Sequence, residues 1–152
     1  MMTLTSTQIG QLVAQFFLAG AGTLSFAALF ACPKRTLPCC ALVGAVGWFV
    51  YELAVMLGAD SAAASLLAVI PLTLLTRVFA STLKMPVTVF LLSGIFPLVP
   101  GAGIYYTAYY FLRDDRTLFL NKGVETLKIA LALALGIALV CSLPLPGREH
   151  KK

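Results

Sequence analysis

The sequence predicts an all-α integral membrane protein with about five transmembrane helices, and its composition carries that prediction. The chain has 152 residues, of which 60% are hydrophobic and only 11% are charged, whereas soluble domains carry about 25% charged residues. Its mean hydropathy is +0.95. Because a soluble fold of this length could not bury so much apolar surface, we expect the chain to lie in a lipid bilayer.

Five apolar segments each have close to the ~20 residues that a helix needs to cross the hydrocarbon core. Short connections with proline, glycine or charged residues separate them, and a polar tail (144–152) follows. We therefore expect a single membrane domain over residues 1–152. The predicted spans are residues 9–31, 37–57, 62–79, 86–112 and 124–143.

The first three segments follow the pattern of ordinary membrane helices. Pro33-Lys34-Arg35 ends the first segment, and Gly58-Ala59-Asp60-Ser61 forms the turn between the second and the third. In the second segment Gly44 and Gly47 would let neighbouring helices approach closely.

The fourth segment contains Pro97-x-x-Pro100-Gly101 and Gly103 in its middle. Each proline removes a backbone donor and clashes with the preceding turn, so a continuous helix is not expected. As one helix the segment would cover about 40 Å, more than the ~30 Å hydrocarbon core, and a broken span would absorb the excess. The alternative is a helix that ends near Val99 and a separate interfacial helix after it.

A charged connection closes the fourth segment before the fifth, and the basic residues predict the orientation of all five. Loops on the cytoplasmic side of membrane proteins carry an excess of Lys and Arg. With five spans, one side holds Lys34, Arg35, Arg77, Lys84, Arg148, Lys151 and Lys152, and the other holds Arg113, Arg116 and Lys122 beside acidic residues. This predicts an N-terminus outside and a C-terminus in the cytoplasm.

Two charged residues within the spans are candidates for function. Glu52 is the one acidic residue well inside a predicted span, and a charge there costs several kcal/mol unless it faces a cavity or a partner. It could bind a proton or a substrate ammonium group, or be a hydrogen-bonded interfacial carboxylate. Arg77 lies too far along the bilayer normal to pair with it. Arg77 either snorkels to the cytoplasmic face or guides anions at the inner mouth.

The break supplies the rest of the predicted site. Non-helical backbone in a membrane is tolerated where it lines a cavity, and transporters place such breaks around their solute. Amides freed after Pro100 resemble a helix N-terminus and favour a carboxylate, which predicts an anionic or zwitterionic solute. The hydroxyl groups of Ser93 and Thr107 could bind it, or bond their own helix instead. The predicted substrate-binding residues are Pro97, Pro100, Gly101, Gly103, Tyr105, Glu52, Ser93 and Thr107, with Arg77 as an inner-mouth charge.

The sequence favours neither an enzyme nor a nucleic-acid-binding protein. It has no catalytic triad pattern and no phosphate-binding glycine loop, and its basic residues lie at segment edges although the net charge is +5. Cys32, Cys39, Cys40 and Cys141 match no zinc spacing, and the single histidine is His150 in the tail. We expect no metal and no cofactor, and cysteines that serve helix packing.

Two clusters carry a family resemblance. They are Pro33-Lys34-Arg35-x-Leu37-x-x-Cys40-Ala41-Leu42-x-Gly44-x-x-Gly47 and Pro97-Leu98-Val99-Pro100-Gly101-x-x-x-Tyr105. Together they resemble the threonine/serine exporter family, and within it the small separate subunit that matches the C-terminal membrane half of single-chain members. The resemblance implies export of threonine, serine or succinate-like dicarboxylates, together with a larger partner subunit that supplies the other membrane half.

The predicted number of spans agrees with a partner subunit that supplies the other half. Because five is an odd number, two adjacent five-span halves have opposite orientations in the membrane. An inverted-repeat transporter requires this arrangement. Two alternatives remain open at this point. The chain could be a self-sufficient homo-oligomeric channel or transporter, or a membrane scaffold or assembly protein that moves no solute.

Overall fold

A computed structural model describes residues 6–144, and within that range the chain is helical apart from short connections. Four of its helices are long and apolar enough to cross a membrane, and a bent pair makes a fifth crossing if the two count as one span. The prediction of an all-α membrane protein is therefore confirmed. The elements are α1 (Ser6–Leu29), a 3-10 turn (Lys34–Thr36), α2 (Leu37–Met56), α3 (Ser61–Leu83), α4 (Val87–Gly94), a second 3-10 turn (Phe96–Leu98), α5 (Gly101–Leu112) and α6 (Arg116–Ser142).

Two helices are longer than the apolar segments that predicted them. α3 continues past residue 79 to Leu83, where Lys84 adopts a left-handed conformation (φ 52°) and its amide donates to Ala80 O. α6 begins at Arg116 rather than at residue 124, because the Asp115 carboxylate caps it by accepting from the Leu118 amide at 3.1 Å. In both cases the additional residues include polar ones, so the hydropathy of the sequence does not assign them to a membrane span.

α2 and α3 form the centre of the bundle. α1 packs on α2, α6 packs on α3, and α4 lies against both central helices, whereas α5 packs chiefly on α6. The central core contains Val43 of α2 and Leu72 of α3, together with Leu98 from the second 3-10 turn. The break in the fourth segment is therefore anchored in the core of the bundle.

Glycines hold the central helices at close range. A Cβ atom at Gly44 would overlap the Thr23 side chain of α1, and one at Gly47 would approach Leu72 Cδ1 of α3 to 2.6 Å. Gly94 of α4 meets α2 in the same way. These contacts bear out the expectation that small residues of the second segment allow close packing.

α3 and α6 run parallel, and this fixes the path of the chain between them. Gly136 of α6 lies against Val69 of α3, and farther along both helices Arg77 donates to the carbonyls of Val140 and Leu143. The chain must therefore return, between α3 and α6, to the end of the bundle at which α3 began. α4 and α5 together make that return, so they cross the bundle instead of re-entering on one side.

α6 projects beyond α3 at the end of the bundle where α2 turns into α3. Arg116 precedes Gly136 by 20 residues and Ser61 precedes Val69 by 8, so α6 extends 12 residues farther. At a rise of ~1.5 Å per residue this is about 18 Å. α5 packs along this projecting part of α6, so the second half of the broken segment lies toward that end of the bundle.

Candidate solute site at the broken fourth segment

The fourth segment is broken where its prolines predict. α4 ends at Gly94, and after the intervening 3-10 turn α5 starts at Gly101 with a bend of 56° between the two halves. Pro97 lies at the start of the 3-10 turn, where its missing N–H leaves no hydrogen bond unmade, and Pro100 is the N-cap of α5. Pro97 therefore lies in the turn that follows the first half-helix, α4, and Pro100 lies at the start of the second, α5.

The backbone amides after Pro100 are partly used within the break. The Gly101 amide donates to Val99 O at 2.7 Å. The next two amides, of Ala102 and Gly103, belong to the first turn of α5 and have no carbonyl within that helix to bond. Donors for a carboxylate are thus offered by these two amides and not by the amide of Gly101.

Gly103 and Thr107 belong to the contact between α5 and α6. A Cβ atom at Gly103 would overlap the Thr126 side chain, and one at Gly123 would lie 3.4 Å from Thr107 Cγ2. The Thr107 hydroxyl donates to Gly103 O at 2.7 Å. The structure therefore gives Gly103 a packing role and directs the Thr107 hydroxyl toward its own helix.

The larger of two cavities beside the break is a groove of about 840 Å³ that runs between α5 and α6. Pro100 and Ile104 line one wall, and Leu133 and Ile137 line the other. The residues that line it are apolar except for two threonines, so the groove suits an apolar chain or helix better than a hydrophilic solute.

The smaller cavity, of about 250 Å³, lies between α1, α2 and the second 3-10 turn. Pro97 and Phe96 line it from the break, and Gln15 of α1 and Trp48 of α2 line it from the helices. The Trp48 indole N–H donates to Gln15 Oε1 at 2.9 Å. This cavity combines a broken backbone segment with a polar side chain near the middle of two spans.

Sequence reasoning did not single out Gln15 or Trp48 as site residues. The signal was present, since Gln15 is an amide in the middle of an apolar segment and Trp48 is the single tryptophan of the chain. A polar side chain inside a span usually has a partner or faces a cavity. What the sequence could not supply was the contact between the two residues.

Other predicted site residues lie away from this cavity. Ser93 is fully buried, and its hydroxyl donates to Val89 O at 3.1 Å within α4. Tyr105 is 63% exposed and stacks on Tyr109 with ring centroids 6.3 Å apart. Glu52 is half-buried on α2, one helical turn beyond Trp48. The structure therefore distributes the predicted residues over the smaller cavity, the groove, the α5–α6 contact, the buried side of α4 and the protein surface.

Arg77 has hydrogen-bond partners that the sequence did not predict. Its guanidinium group donates to the carbonyls of Val140 and Leu143 at the C-terminal end of α6. A cation there satisfies carbonyls that have no helical partner and complements the negative end of the helix dipole. Arg77 therefore caps α6 instead of extending freely to the nearest membrane surface.

Two cysteines pack around one carbonyl. The Sγ atoms of Cys32 and Cys40 each lie 3.8 Å from Val89 O. Burial raises the pKa of the Cys32 thiol, and the neighbouring Cys40 adds to the rise. A thiol that stays protonated is a poor metal ligand or nucleophile. Among residues 6–144 no group of three metal-binding side chains comes together.

A helical bundle with a broken membrane segment and cavities beside the break is typical of a multi-pass membrane transporter. The family model described as Threonine/Serine exporter, ThrE, matches residues 15–143. Because that match covers most of the chain, the chain belongs to the threonine/serine exporter family, as the resemblance of its two clusters indicates. The family is one of exporters and not of enzymes. No solved structure matches the chain.

Proposed function

We propose that the chain is the small membrane subunit of a secondary exporter of small amino or organic acids, and that it acts with a larger membrane subunit of the same family. Threonine, serine and succinate-like dicarboxylates are the solute classes. The observation that carries the proposal is the break between α4 and α5. It lies inside a five-crossing bundle, joins two half-helices at 56° and has a cavity on each side.

The proposed arrangement is one half of an inverted-repeat transporter in a bacterial inner membrane. Five crossings place the two ends of the chain on opposite sides, which is the parity that such a half requires. Lys34, Arg35 and Lys84 lie at one end of the bundle, whereas the basic residues of the other end lie beside acidic ones, namely Arg113, Arg116 and Lys122 beside Asp114, Asp115 and Glu125. The positive-inside rule then puts the N-terminus outside and the C-terminus in the cytoplasm.

Unpacked helix surfaces support a partner subunit. α5 has no buried residue, and α1 presents exposed apolar side chains such as Phe17 and Leu18, each 69% exposed. Lipid can cover such a surface on α1. The projecting α5–α6 part extends past the end of α3 and contains no buried residue of α5, and a second membrane subunit would cover it there.

The test is export of labelled threonine, serine and succinate from cells that carry both subunits, either subunit or neither. We expect export only when both are present. The double variant Pro100→Ala/Gly101→Ala favours a continuous helix, because alanine is the best helix former. It should insert normally and export at least tenfold less. Pro86→Ala, at the start of α4, serves as the matched proline control. Wild-type export by an inserted double variant would show that the break is not the site.

The same experiment separates the alternatives. Export by this chain alone in reconstituted vesicles would identify a self-sufficient homo-oligomer. Absence of export of every solute with both subunits in the membrane would favour a scaffold or assembly role.

A further inference from the structure

We propose that Gln15 and Trp48 form a solute subsite in the smaller cavity, where the Gln15 side-chain amide binds the carboxylate of the exported acid. The inference rests on the proposed function and assigns a binding residue to it. The cavity of about 250 Å³ contains both side chains and is closed on one side by Phe96 and Pro97 of the break.

The hydrogen bond between the two residues determines which atoms face the solute. An indole N–H can only donate, so Trp48 holds Gln15 Oε1 as the acceptor at 2.9 Å. The Gln15 Nε2 group keeps two N–H donors, and within residues 6–144 it makes no hydrogen bond. A group with two free donors binds a carboxylate or a carbonyl, whereas it offers an ammonium group only the remaining lone pair of Oε1.

The rest of the cavity suits the apolar part of a small acid. Phe26 of α1 stacks on Phe96 with ring centroids 3.7 Å apart, and both line the cavity with Ala19 and Pro97. Its volume lies below the roughly 300–1,000 Å³ typical of sites for drug-sized ligands, so a small amino or organic acid fits it better.

The position of the cavity agrees with a transport site. Gln15 lies near the middle of α1 and Trp48 near the middle of α2, so the cavity is close to the midplane of both helices. Transporters bind their solutes near the midplane, beside discontinuous helices. Here the discontinuity is the Phe96–Leu98 turn, and it forms one wall.

Gly22 offers a way to fill the cavity without disturbing the helices. It lines the cavity, and a Cβ atom there would meet no other atom within 4 Å. Gly22→Val should therefore place its methyl groups where the solute would lie. Gly10 provides the matched control, because a Cβ atom there is equally free and Gly10 does not line the cavity.

The first test uses Trp48 as the reporter, because it is the only tryptophan in the chain. The purified protein in lipid nanodiscs is titrated with L-threonine, L-serine, succinate and L-threoninol, in which an alcohol replaces the carboxylate. We expect a saturable change of emission with at least one of the acids and none with threoninol. Gln15→Leu and Gly22→Val should abolish the change, and Gly10→Val should retain it. No response of the wild-type protein, or an unaltered response of Gln15→Leu, would overturn the proposal.

The second test measures export in cells that carry both subunits, with membrane insertion checked by immunoblot. Gln15→Leu and Gly22→Val should each lower export at least tenfold, whereas Gly10→Val should not. If wild-type cells export and both cavity variants export equally well, the subsite is wrong and the proposed function stands. If wild-type cells export none of the solutes, the proposed function fails, and the fluorescence titration alone decides the subsite.

Discussion

Gly103 of α5 and Thr126 of α6 touch so closely that a Cβ atom at Gly103 would overlap the threonine hydroxyl. The contact is fixed from the other side as well, because the Thr126 hydroxyl donates to Lys122 O at 2.7 Å. Two residues earlier Gly101 is unconstrained, since a Cβ atom there meets nothing within 4 Å. The two glycines of the break therefore have different reasons to be glycine.

We expect Gly103→Ala to destabilise the protein by about 1–3 kcal/mol, the typical cost of overpacking. Gly101→Ala should be neutral or slightly stabilising, because it adds helix propensity without a clash. Thermal unfolding in detergent, followed by circular dichroism, measures both. Adding Thr126→Ala to Gly103→Ala should restore most of the loss. Equal stability of the two single variants would show that the α5–α6 contact is looser than described.

The role of Arg77 can be tested at the end of α6. Arg77→Met removes the cap of the Val140 and Leu143 carbonyls. A hydrogen bond to a charged group contributes about 1.5–3 kcal/mol, so the last turn of α6 should open more often. Hydrogen exchange of its amides should become faster by roughly tenfold or more, and Arg77→Lys should retain part of the protection. If Arg77→Lys keeps the protection and still loses export, Arg77 acts on the solute at the inner mouth.

The parallel packing of α3 and α6 predicts the sidedness of the connections. The α2–α3 turn and the α5–α6 turn should lie on one side of the membrane, and the Lys34–Thr36 turn on the other. Single cysteines at Ala59, Arg113 and Lys34, in a protein whose four native cysteines are replaced by alanine, test this. In intact cells an impermeant maleimide should label the first two, and Lys34→Cys should react only after permeabilisation. If Arg113→Cys, like Lys34→Cys, reacts only after permeabilisation, then α4 and α5 form a re-entrant loop.

The charge of Glu52 is the next candidate for a role in export. The residue is half-buried within α2, and a carboxylate inside a span usually faces a cavity or a partner. Glu52→Gln has nearly the same shape and no charge. We expect this variant to insert normally and to export at least tenfold less solute. Export at the wild-type rate by the inserted variant would exclude a role for this charge.

The sequence was informative where local chemistry dictates structure. Pro97 and Pro100 lie three residues apart and a glycine follows them, so the position of the break could be predicted to within a few residues, whereas the single Pro71 lies inside the continuous helix α3. Asp115 caps the start of α6, and Lys84 ends α3 in a left-handed conformation; counting apolar residues detects neither of these boundaries. The prolines and the two helix ends all depend only on residues that are close to them in the sequence.

The relative faces of the helices could not be predicted. A helix that is apolar all round gives no indication of which side meets its neighbour, because lipid and protein interior are similar environments for a leucine. The pairing of Gln15 with Trp48 depends on those faces, and so does the direction of Arg77 toward α6. Most of the predicted site residues were chosen from the fourth segment, whereas the smaller cavity is lined by residues of the first, second and fourth segments.

The glycine contacts of α2 also determine which parts of the protein can move. Gly44, Gly47 and Gly94 hold α1, α3 and α4 at backbone distance, so sliding any of these helices along α2 would force side chains into one another. We expect α1–α4 to move as one rigid body during export, while α5 moves together with the part of α6 that Gly103 and Thr126 hold against it. Spin labels on α1 and α3 should then keep a constant separation when solute is added, and the distance from α2 to α5 should change.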